Sequence, residues 1–201
     1  MAKRLTQRGK ERREQLLAFA AARFAEQGYH ATSVSEIVQG LGVGKGVFYW
    51  YFDSKEQLFL EILRESQHDL RRKQKAVIEG VDDPIRRIEL GLRASLEFSE
   101  SHRDHNKLIQ FAATEATFLP ALRRGQEVAV ADLVTHVKDA IAQGRIPDTD
   151  PDVLAHALLG VATTLAQTFI YNRGEPAESI ADAAVAFCLA GMQSTPAPQP
   201  A

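Results

Sequence analysis

The stretch Thr32–Leu58 reads TSVSEIVQGLGVGKGVFYWYFDSKEQL and decides the fold of the N-terminal part of the chain. Ser33 and Glu36 stand three residues apart beside an apolar run, which is the pattern of a capping box. The Ser33 hydroxyl can accept a hydrogen bond from the Glu36 amide, and the Glu36 carboxylate can reach back towards the Ser33 amide. The pattern therefore predicts a short helix that begins at Val34.

This helix is predicted to end within residues 40–42, where the sequence Gly-Leu-Gly interrupts the apolar periodicity. A second short helix is predicted to begin near Lys45 and to carry the run Val-Phe-Tyr-Trp-Tyr over residues 47–51. Two short helices joined by a glycine turn form a helix-turn-helix.

The rest of the chain has the periodicity of helices, because apolar residues recur three and four positions apart and strand patterns are almost absent. We expect a helix over residues 8–27, stopped by Gly28, and a long amphipathic helix from Ser54 towards Ile78. Further helices are predicted over residues 83–101, 106–118, 120–144, 151–172 and 176–192.

These elements predict an all-α protein of about nine helices. A three-helix helix-turn-helix domain (residues 1–55) is followed by a larger helical domain (residues 56–192) that begins with the long connecting helix. The Pro-rich tail, residues 193–201, is expected to be disordered.

Basic residues are concentrated at the N-terminus. Residues 1–55 contain nine Lys and Arg against five acidic residues, a net charge of +4, whereas residues 56–201 carry a net charge of −6. A basic module on an acidic body is suited to contact with nucleic-acid phosphates through one end of the molecule.

Composition and motifs argue against several other classes of protein. The single cysteine, Cys188, allows neither an internal disulfide nor a cysteine-based zinc cluster, and it indicates a reducing compartment. No apolar stretch is expected to reach the ~20 residues of a membrane span, and the basic start lacks the apolar core of a secretion signal. We therefore expect a cytoplasmic protein without membrane contact.

Chemistry-bearing motifs are equally sparse. His102 and His105 have a spacing found in metal sites, but no cysteine or third ligand stands nearby. The sequence has no nucleophile motif and no glycine-rich phosphate loop. Neither a metal, a cofactor nor catalysis is expected.

Residues 32–58 resemble the signature of the TetR family of bacterial transcriptional regulators. The capped helix, the apolar-Gly-Val turn, the aromatic cluster and Lys55 carry this resemblance, which extends from about Arg12 to Leu63. Gly44 stands where the family usually has Ser or Thr, and Val38 where it usually has Ala. A glycine cap costs only a few tenths of a kcal/mol relative to serine, so these departures leave the fold intact.

The resemblance implies that the first domain binds DNA and that the second binds a ligand and dimerises. The helix from Lys45 fits the major groove, where Val47 can contact a thymine methyl and Lys45 a guanine edge or a phosphate. By resemblance, Tyr49 and Lys55 contact phosphates. The residues expected to contact DNA are Thr32, Ser33, Lys45, Gly46, Val47, Tyr49, Trp50, Tyr51 and Lys55.

Two of these interpretations have structural alternatives. One of Trp50 and Tyr51 can pack against the long helix instead, because aromatic residues at helical spacing are more often core than contact. The basic arm can touch phosphates or a minor groove, or it can be a solvated chain start. This arm comprises Lys3, Arg4, Arg8 and Lys10.

The helix predicted over residues 151–172 is apolar nearly all round, so it needs burial on two sides. Small residues on this helix and on the last predicted helix permit close approach of partner helices. A two-fold, four-helix interface between two copies satisfies both helices, and the family resemblance implies the same homodimer. Its expected residues are Leu158, Val161, Leu165, Phe169, Ala184 and Phe187.

Polar residues that interrupt apolar helical faces mark the expected effector site, a mainly apolar cavity for a small, largely hydrophobic molecule. Glu115 falls on the same predicted face as Phe111 and Phe118, where its carboxylate needs a partner or a ligand. The alternative is an edge position whose charge reaches solvent or an arginine. The expected ligand-binding residues are Phe111, Glu115, Phe118, Thr164, Gln167 and Thr168.

Together these observations predict a ligand-responsive repressor that occupies a pseudo-palindromic operator as a homodimer and is released by its effector. A DNA-binding activator or a nucleoid-organising protein of the same fold is one alternative. A helical adaptor or enzyme that keeps the motif without binding DNA is the other.

Overall fold

The computed structural model describes residues 6–194, and within this range it contains nine α-helices and no strand. The predicted all-α class is therefore confirmed. Lys3 and Arg4 of the predicted arm, and residues 195–201 of the predicted tail, lie outside the described residues. The helices are α1 (Gln7–Gln27), α2 (Val34–Gly40), α3 (Lys45–Tyr51), α4 (Lys55–Ile78), α5 (Pro84–Ser101), α6 (Arg103–Thr114), α7 (Leu119–Ala142), α8 (Pro151–Leu165) and α9 (Glu178–Gln193).

Two of the predicted helices differ from those observed. The helix predicted over residues 106–118 is α6, which begins and ends earlier, and a turn over residues 115–118 separates it from α7. Pro120 lacks an amide hydrogen and is tolerated only in the first turn of a helix, so a new helix starts beside it. The helix predicted over residues 151–172 divides into α8 and a π-helical segment, Ala166–Asn172.

The chain forms two compact units. The first comprises the described residues up to Gln67 together with Asp104–Arg123. Its core contains Phe48, Phe52 and Phe59, which are almost fully buried. This unit does not end at the predicted domain boundary after residue 55, because apolar side chains of α4 from Leu58 to Leu63 complete its core.

The second unit comprises His68–Arg103 and the described residues from Arg124 onwards. Here α5 packs against α8, α9 and the π-helical segment. One apolar cluster includes Ile88 and Leu158, and another surrounds Ile170. Arginine–aspartate pairs connect α7 to other helices of the unit, with Arg71 Nε 2.7 Å from an Asp132 oxygen and Arg87 bonded to Asp139 at 2.9 Å.

The apolar run Pro151–Asn172 forms 22 residues of continuous helix, within which an 18-residue stretch has a mean hydropathy of 1.6. By length and composition it could cross a membrane, so the expectation that no stretch approaches this length was wrong. Only 28% of that 18-residue stretch is buried within the chain. Such a helix also occurs in the core of globular proteins, and its low burial leaves an apolar face to be covered.

Candidate DNA-binding interface

Local signals position the helix-turn-helix as predicted. The Ser33 hydroxyl accepts a hydrogen bond from the Glu36 amide at 3.1 Å. The Glu36 carboxylate does not complete the capping box but accepts two hydrogen bonds from the Arg23 guanidinium, at 2.6 and 3.0 Å. The turn between α2 and α3 uses Gly42 with a φ of +64°, a conformation that favours glycine.

One side of α3 is anchored in the core of the first unit. Phe48 is fully buried, and its ring lies 5.7 Å from that of Phe52, the residue that follows α3. Beneath α2, the Phe19 ring occupies the space next to Gly40, where a Cβ atom would lie only 2.1 Å from Phe19 Cζ. This close packing fixes α2, and with it the turn that leads into α3.

The opposite side of α3 projects away from that core. Tyr49 and Trp50 are 55% and 48% exposed, which is unusual for large aromatic side chains in a folded domain. Lys45 and Gly46 are also exposed, whereas Val47 is half-buried. This face therefore offers a cation, an aromatic hydroxyl and an indole to a partner.

Tyr51 is half-buried and meets Trp50 edge to face, with ring centroids 4.5 Å apart. It also packs against the core of the first unit. The sequence left open whether Trp50 or Tyr51 packs within the protein, and Tyr51 is the more buried of the two.

Thr32 does not present its hydroxyl to a partner as the sequence suggested. The side chain is fully buried, and its hydroxyl donates to the Gly28 carbonyl oxygen at 3.0 Å. This hydrogen bond ties the start of α2 to the end of α1. The neighbouring Ser33 remains exposed, although its hydroxyl already accepts the capping hydrogen bond.

Lys55 also points towards the protein. Its ammonium donates to the carbonyl oxygens of Tyr29 and Thr32, both at 2.9 Å, and lies 4.3 Å from the centre of the Tyr29 ring. In this arrangement Lys55 holds the loop between α1 and α2 rather than presenting a free cation. Sequence spacing does not reveal this role, because the bonded residues are 26 and 23 positions away.

A groove of about 540 Å³ runs beside the exposed part of α3. The beginning of α1 forms one wall, which includes Arg8 and Arg12. Arg8 belongs to the predicted basic arm, whereas Arg12 was not among the residues predicted to contact DNA. The nine lining residues are Thr6, Arg8, Gly9, Arg12, Val43, Gly46, Val47, Trp50 and Tyr51. The helical spacing of Arg8 and Arg12, four residues apart, was the available signal.

Residues 16–62 match the family model of bacterial regulatory proteins of the tetR family. The helix-turn-helix segment of this chain is therefore that of the TetR family of transcriptional regulators. It is 26% identical to the HTH-type transcriptional regulator YdgC of Bacillus subtilis, over 92% of this chain and 94% of YdgC. It is 27% identical to the repressor KstR2 of Mycolicibacterium smegmatis, over 90% of each chain.

A solved structure with the same fold is that of AibR in complex with isovaleryl coenzyme A and operator DNA. It matches with a TM-score of 0.69 and 22% identity, over 88% of this chain and 97% of that chain. These relatives are regulators of transcription.

Three residues predicted to bind a ligand lie in the first unit. Phe111 and Phe118 belong to an aromatic cluster with Tyr29 and Phe59, in which Phe118 is only 2% exposed. Burial raises the pKa of the Tyr29 phenol in this cluster, with a further contribution from the Glu56 carboxylate. The contacts of both phenylalanines are those of core residues.

Glu115 follows the end of α6, so it does not continue the apolar face of a helix as predicted. Its side chain is 37% exposed, and one carboxylate oxygen lies 3.3 Å from His30 Nε2. The structure thus gives Glu115 a protein partner and access to solvent, which agrees with the edge position considered as the alternative.

The other three predicted ligand residues lie in the second unit. Thr164 is exposed on α8. Gln167 and Thr168 are half-buried in the π-helical segment, where the Gln167 amide donates to the Asn172 side-chain oxygen at 2.9 Å.

The predicted dimer residues do not share one surface. Leu158 and Ala184 are 2% and 4% exposed and belong to the interior of the second unit, so their assignment to an interface between subunits was wrong. Phe187 is 67% exposed, and the remaining three, Val161, Leu165 and Phe169, are half-buried. Both faces of these helices are apolar, so periodicity could not identify the outer one.

The outward faces of α8 and α9 carry a different set of residues, which shares Phe187 with the predicted interface residues and includes Gly160 and Ala183, two of the small residues expected to permit close approach. Most are small, and they recur at helical spacing along each helix. They are Val153, Ala157, Gly160, Thr164, Ala183, Ala186, Phe187 and Ala190. We call these residues the α8–α9 face.

The side chain of His102 packs against Phe98 and does not form a metal site with His105. Its ring stacks on Phe98 with centroids 3.8 Å apart, and its Nδ1 lies 3.0 Å from the Phe98 carbonyl oxygen. Among residues 6–194, no group of three or more histidine, cysteine or acidic side chains is arranged to hold a metal ion.

Proposed function

We propose that this protein is a TetR-family repressor that binds a pseudo-palindromic operator in the cytoplasm as a homodimer and is released by a small, largely hydrophobic effector. The observation that carries the proposal is the two-sided α3. Phe48 fixes the helix in the core, while Tyr49 and Trp50 remain about half exposed on the other side. A short rigid helix with groove-facing polar and aromatic groups is suited to reading the major groove.

The experiment selects operators from a pool of random duplexes with the full chain and then measures affinity by fluorescence anisotropy. A sequence with two inverted half-sites is expected. Tyr49→Phe removes one exposed hydroxyl and should weaken operator binding by about two- to tenfold, the value of one hydrogen bond. Its circular dichroism should match that of the wild type. Failure of the wild type to enrich any sequence would contradict the proposed function.

Homodimerisation is supported by the α8–α9 face. This surface combines exposed Phe187 with small residues such as Ala157 and Gly160, which allow helices to approach closely. It also accounts for the low burial of the apolar run Pro151–Asn172, because a second copy would cover the exposed part. Two-fold pairing of subunits would present two α3 helices to inverted half-sites.

We place the effector in the second unit. AibR, which has the same fold, was solved with isovaleryl coenzyme A and operator DNA together. Gln167 and Thr168 are the proposed polar contacts there, since they are half-buried, whereas Thr164 lies on the α8–α9 face and suits the dimer contact. Phe111, Glu115 and Phe118 are engaged in the first unit and are not proposed as ligand residues.

Carboxylic acids with apolar chains of increasing length are the probes for release, and isovaleryl coenzyme A serves as a larger, charged comparison. Addition to the operator complex should lower anisotropy at a concentration that depends on chain length. Gln167→Ala should shift that concentration upwards without changing operator affinity in the absence of the probe. If no probe releases the protein from the operator, the proposed hydrophobic effector is contradicted, whereas the proposed operator binding is not.

Repression and activation are separated by a reporter gene placed behind the selected operator. The proposed repressor should lower expression, and the effective probe should restore it. Higher expression in the presence of the protein would favour the activator.

A further inference from the structure

We propose that the groove between the beginning of α1 and α3 receives a DNA phosphodiester, held by Arg8 and Arg12 and admitted by the absence of a side chain at Gly46. This inference rests on the proposed operator binding. It adds a second anchor outside the helix-turn-helix and gives a physical reason for the glycine at position 46 of α3.

The charges of the groove are the first argument. Three other arginines of the first unit are neutralised, since Arg13 is paired with Glu61 and Glu65, Arg23 with Glu26 and Glu36, and Arg64 with Glu61. Within residues 6–194, neither Arg8 nor Arg12 forms an ion pair. Arg12 is half-buried and Arg8 is exposed, and both line the groove, so their two positive charges are available to an anion that enters it.

The position of the groove identifies the anion. Its other wall is formed by Val47, Trp50 and Gly46 of α3, and therefore continues directly from the surface proposed to read bases. A guanidinium binds a phosphate through two parallel hydrogen bonds, and backbone contacts of this kind fix a protein's register on the duplex. The DNA strand that flanks α3 in the proposed complex is thus the occupant with the matching charge.

Gly46 provides an independent argument. A Cβ atom added at this position would meet nothing within 4 Å, so packing within the protein does not require a glycine. Glycine is less favourable than alanine inside a helix. Its presence on an exposed wall of the groove is explained if another backbone approaches closely, which is one of the recognised uses of glycine.

The charge argument is tested with Arg12→Gln in the full chain, using the operator selected by the wild type. The slope of log affinity against log salt concentration should shrink by about one unit per subunit, because one phosphate contact is lost. Affinity at low salt should fall about tenfold. The matched control is Arg64→Gln, which removes an exposed arginine already paired with Glu61 and should leave the slope unchanged.

The glycine argument is tested with Gly46→Ala. Operator affinity should fall about tenfold, while the melting temperature stays equal to or above that of the wild type. The control is Gly91→Ala in α5, where an added Cβ also meets nothing within 4 Å. It should keep full operator affinity.

An Arg12→Gln variant with the wild-type salt slope and affinity would overturn the proposal, as would a Gly46→Ala variant with wild-type affinity. Both results are distinct from failure of the proposed function, in which the wild type itself selects no operator.

Discussion

The exposed side of α3 and the α8–α9 face both present apolar groups to solvent, yet they suit different partners. Tyr49 and Trp50 stand near Lys45 and beside a groove with two arginines that have no ion pair among residues 6–194. The α8–α9 face carries Phe187 among alanine, glycine and threonine residues. Exposed aromatic area alone therefore does not identify a partner.

The charges around the aromatic groups distinguish the two surfaces. Cations without protein partners favour a polyanion, whose counterions are released on binding. Small uncharged residues favour a surface of the same kind, because two such helices can approach closely without desolvating charge. Each of the following variants alters one of the two regions and leaves the other unchanged.

The largest effect is expected from Phe187→Asp on the α8–α9 face. Burying an unpaired carboxylate at an interface costs about 3 kcal/mol or more, so the dimer dissociation constant should rise at least about a hundredfold. Sedimentation velocity should show a monomer, and circular dichroism should show a folded one, because Phe187 is 67% exposed.

Val77→Asp is the matched control, since Val77 is an exposed apolar residue on α4. This variant should remain dimeric. A Phe187→Asp protein that sediments as a dimer at micromolar concentration would remove the proposed interface.

Gly40→Ala should damage the support of α3 without changing any of its exposed side chains. The new methyl would lie 2.1 Å from Phe19 Cζ, so the ring must move out of its packed position. We expect the free energy of unfolding to fall by about 1–3 kcal/mol and operator binding to weaken.

The dimer should persist in this variant, which separates it from Phe187→Asp. Thermal unfolding and sedimentation measure the two properties. An unchanged melting temperature would show that the ring of Phe19 relocates without cost.

Lys55→Met distinguishes a role in holding the loop from a role in binding phosphate. Loss of the hydrogen bonds to the Tyr29 and Thr32 carbonyls should lower the free energy of unfolding by about 1–3 kcal/mol. Operator affinity should fall, but the salt slope should stay at the wild-type value because no phosphate contact is removed. A slope reduced by about one unit would instead support the phosphate contact that family resemblance implies.

The smallest expected effect is a fall in the free energy of unfolding at mildly acidic pH, caused by His136 in the second unit. Burial lowers the pKa of His136, Arg87 lowers it further, and Asp139 and Asp132 partly oppose the change. The unfolded chain then binds the proton more readily than the folded one. The stabilisation is complete above about pH 6.5 and declines as the pH falls towards the folded pKa.

The free energy of unfolding is measured with denaturant at about pH 7.5 and about pH 5.5, which lie on either side of the ordinary histidine pKa. His136→Gln should make the difference in stability between the two conditions smaller. An equal difference in the variant would assign the acid sensitivity to other groups.

The sequence by itself determined the helices and the helix-turn-helix, because their signals are local. The Ser33 cap, the glycine at position 42 and the apolar periodicity of α1 each act within a few residues, and each predicted the observed element. The recognition of the family rested on the same short stretch, which contains both the turn and the aromatic run.

Tertiary structure alone decided where several functional candidates point. Helix α8 is apolar nearly all round, so its periodicity does not separate buried Leu158 from the outward Gly160. The Lys55 ammonium finds carbonyl oxygens more than 20 residues away, and Glu115 finds His30 across 85 positions. Partners so distant in sequence meet only when the helices pack, whereas caps and glycine turns form within the segment that encodes them.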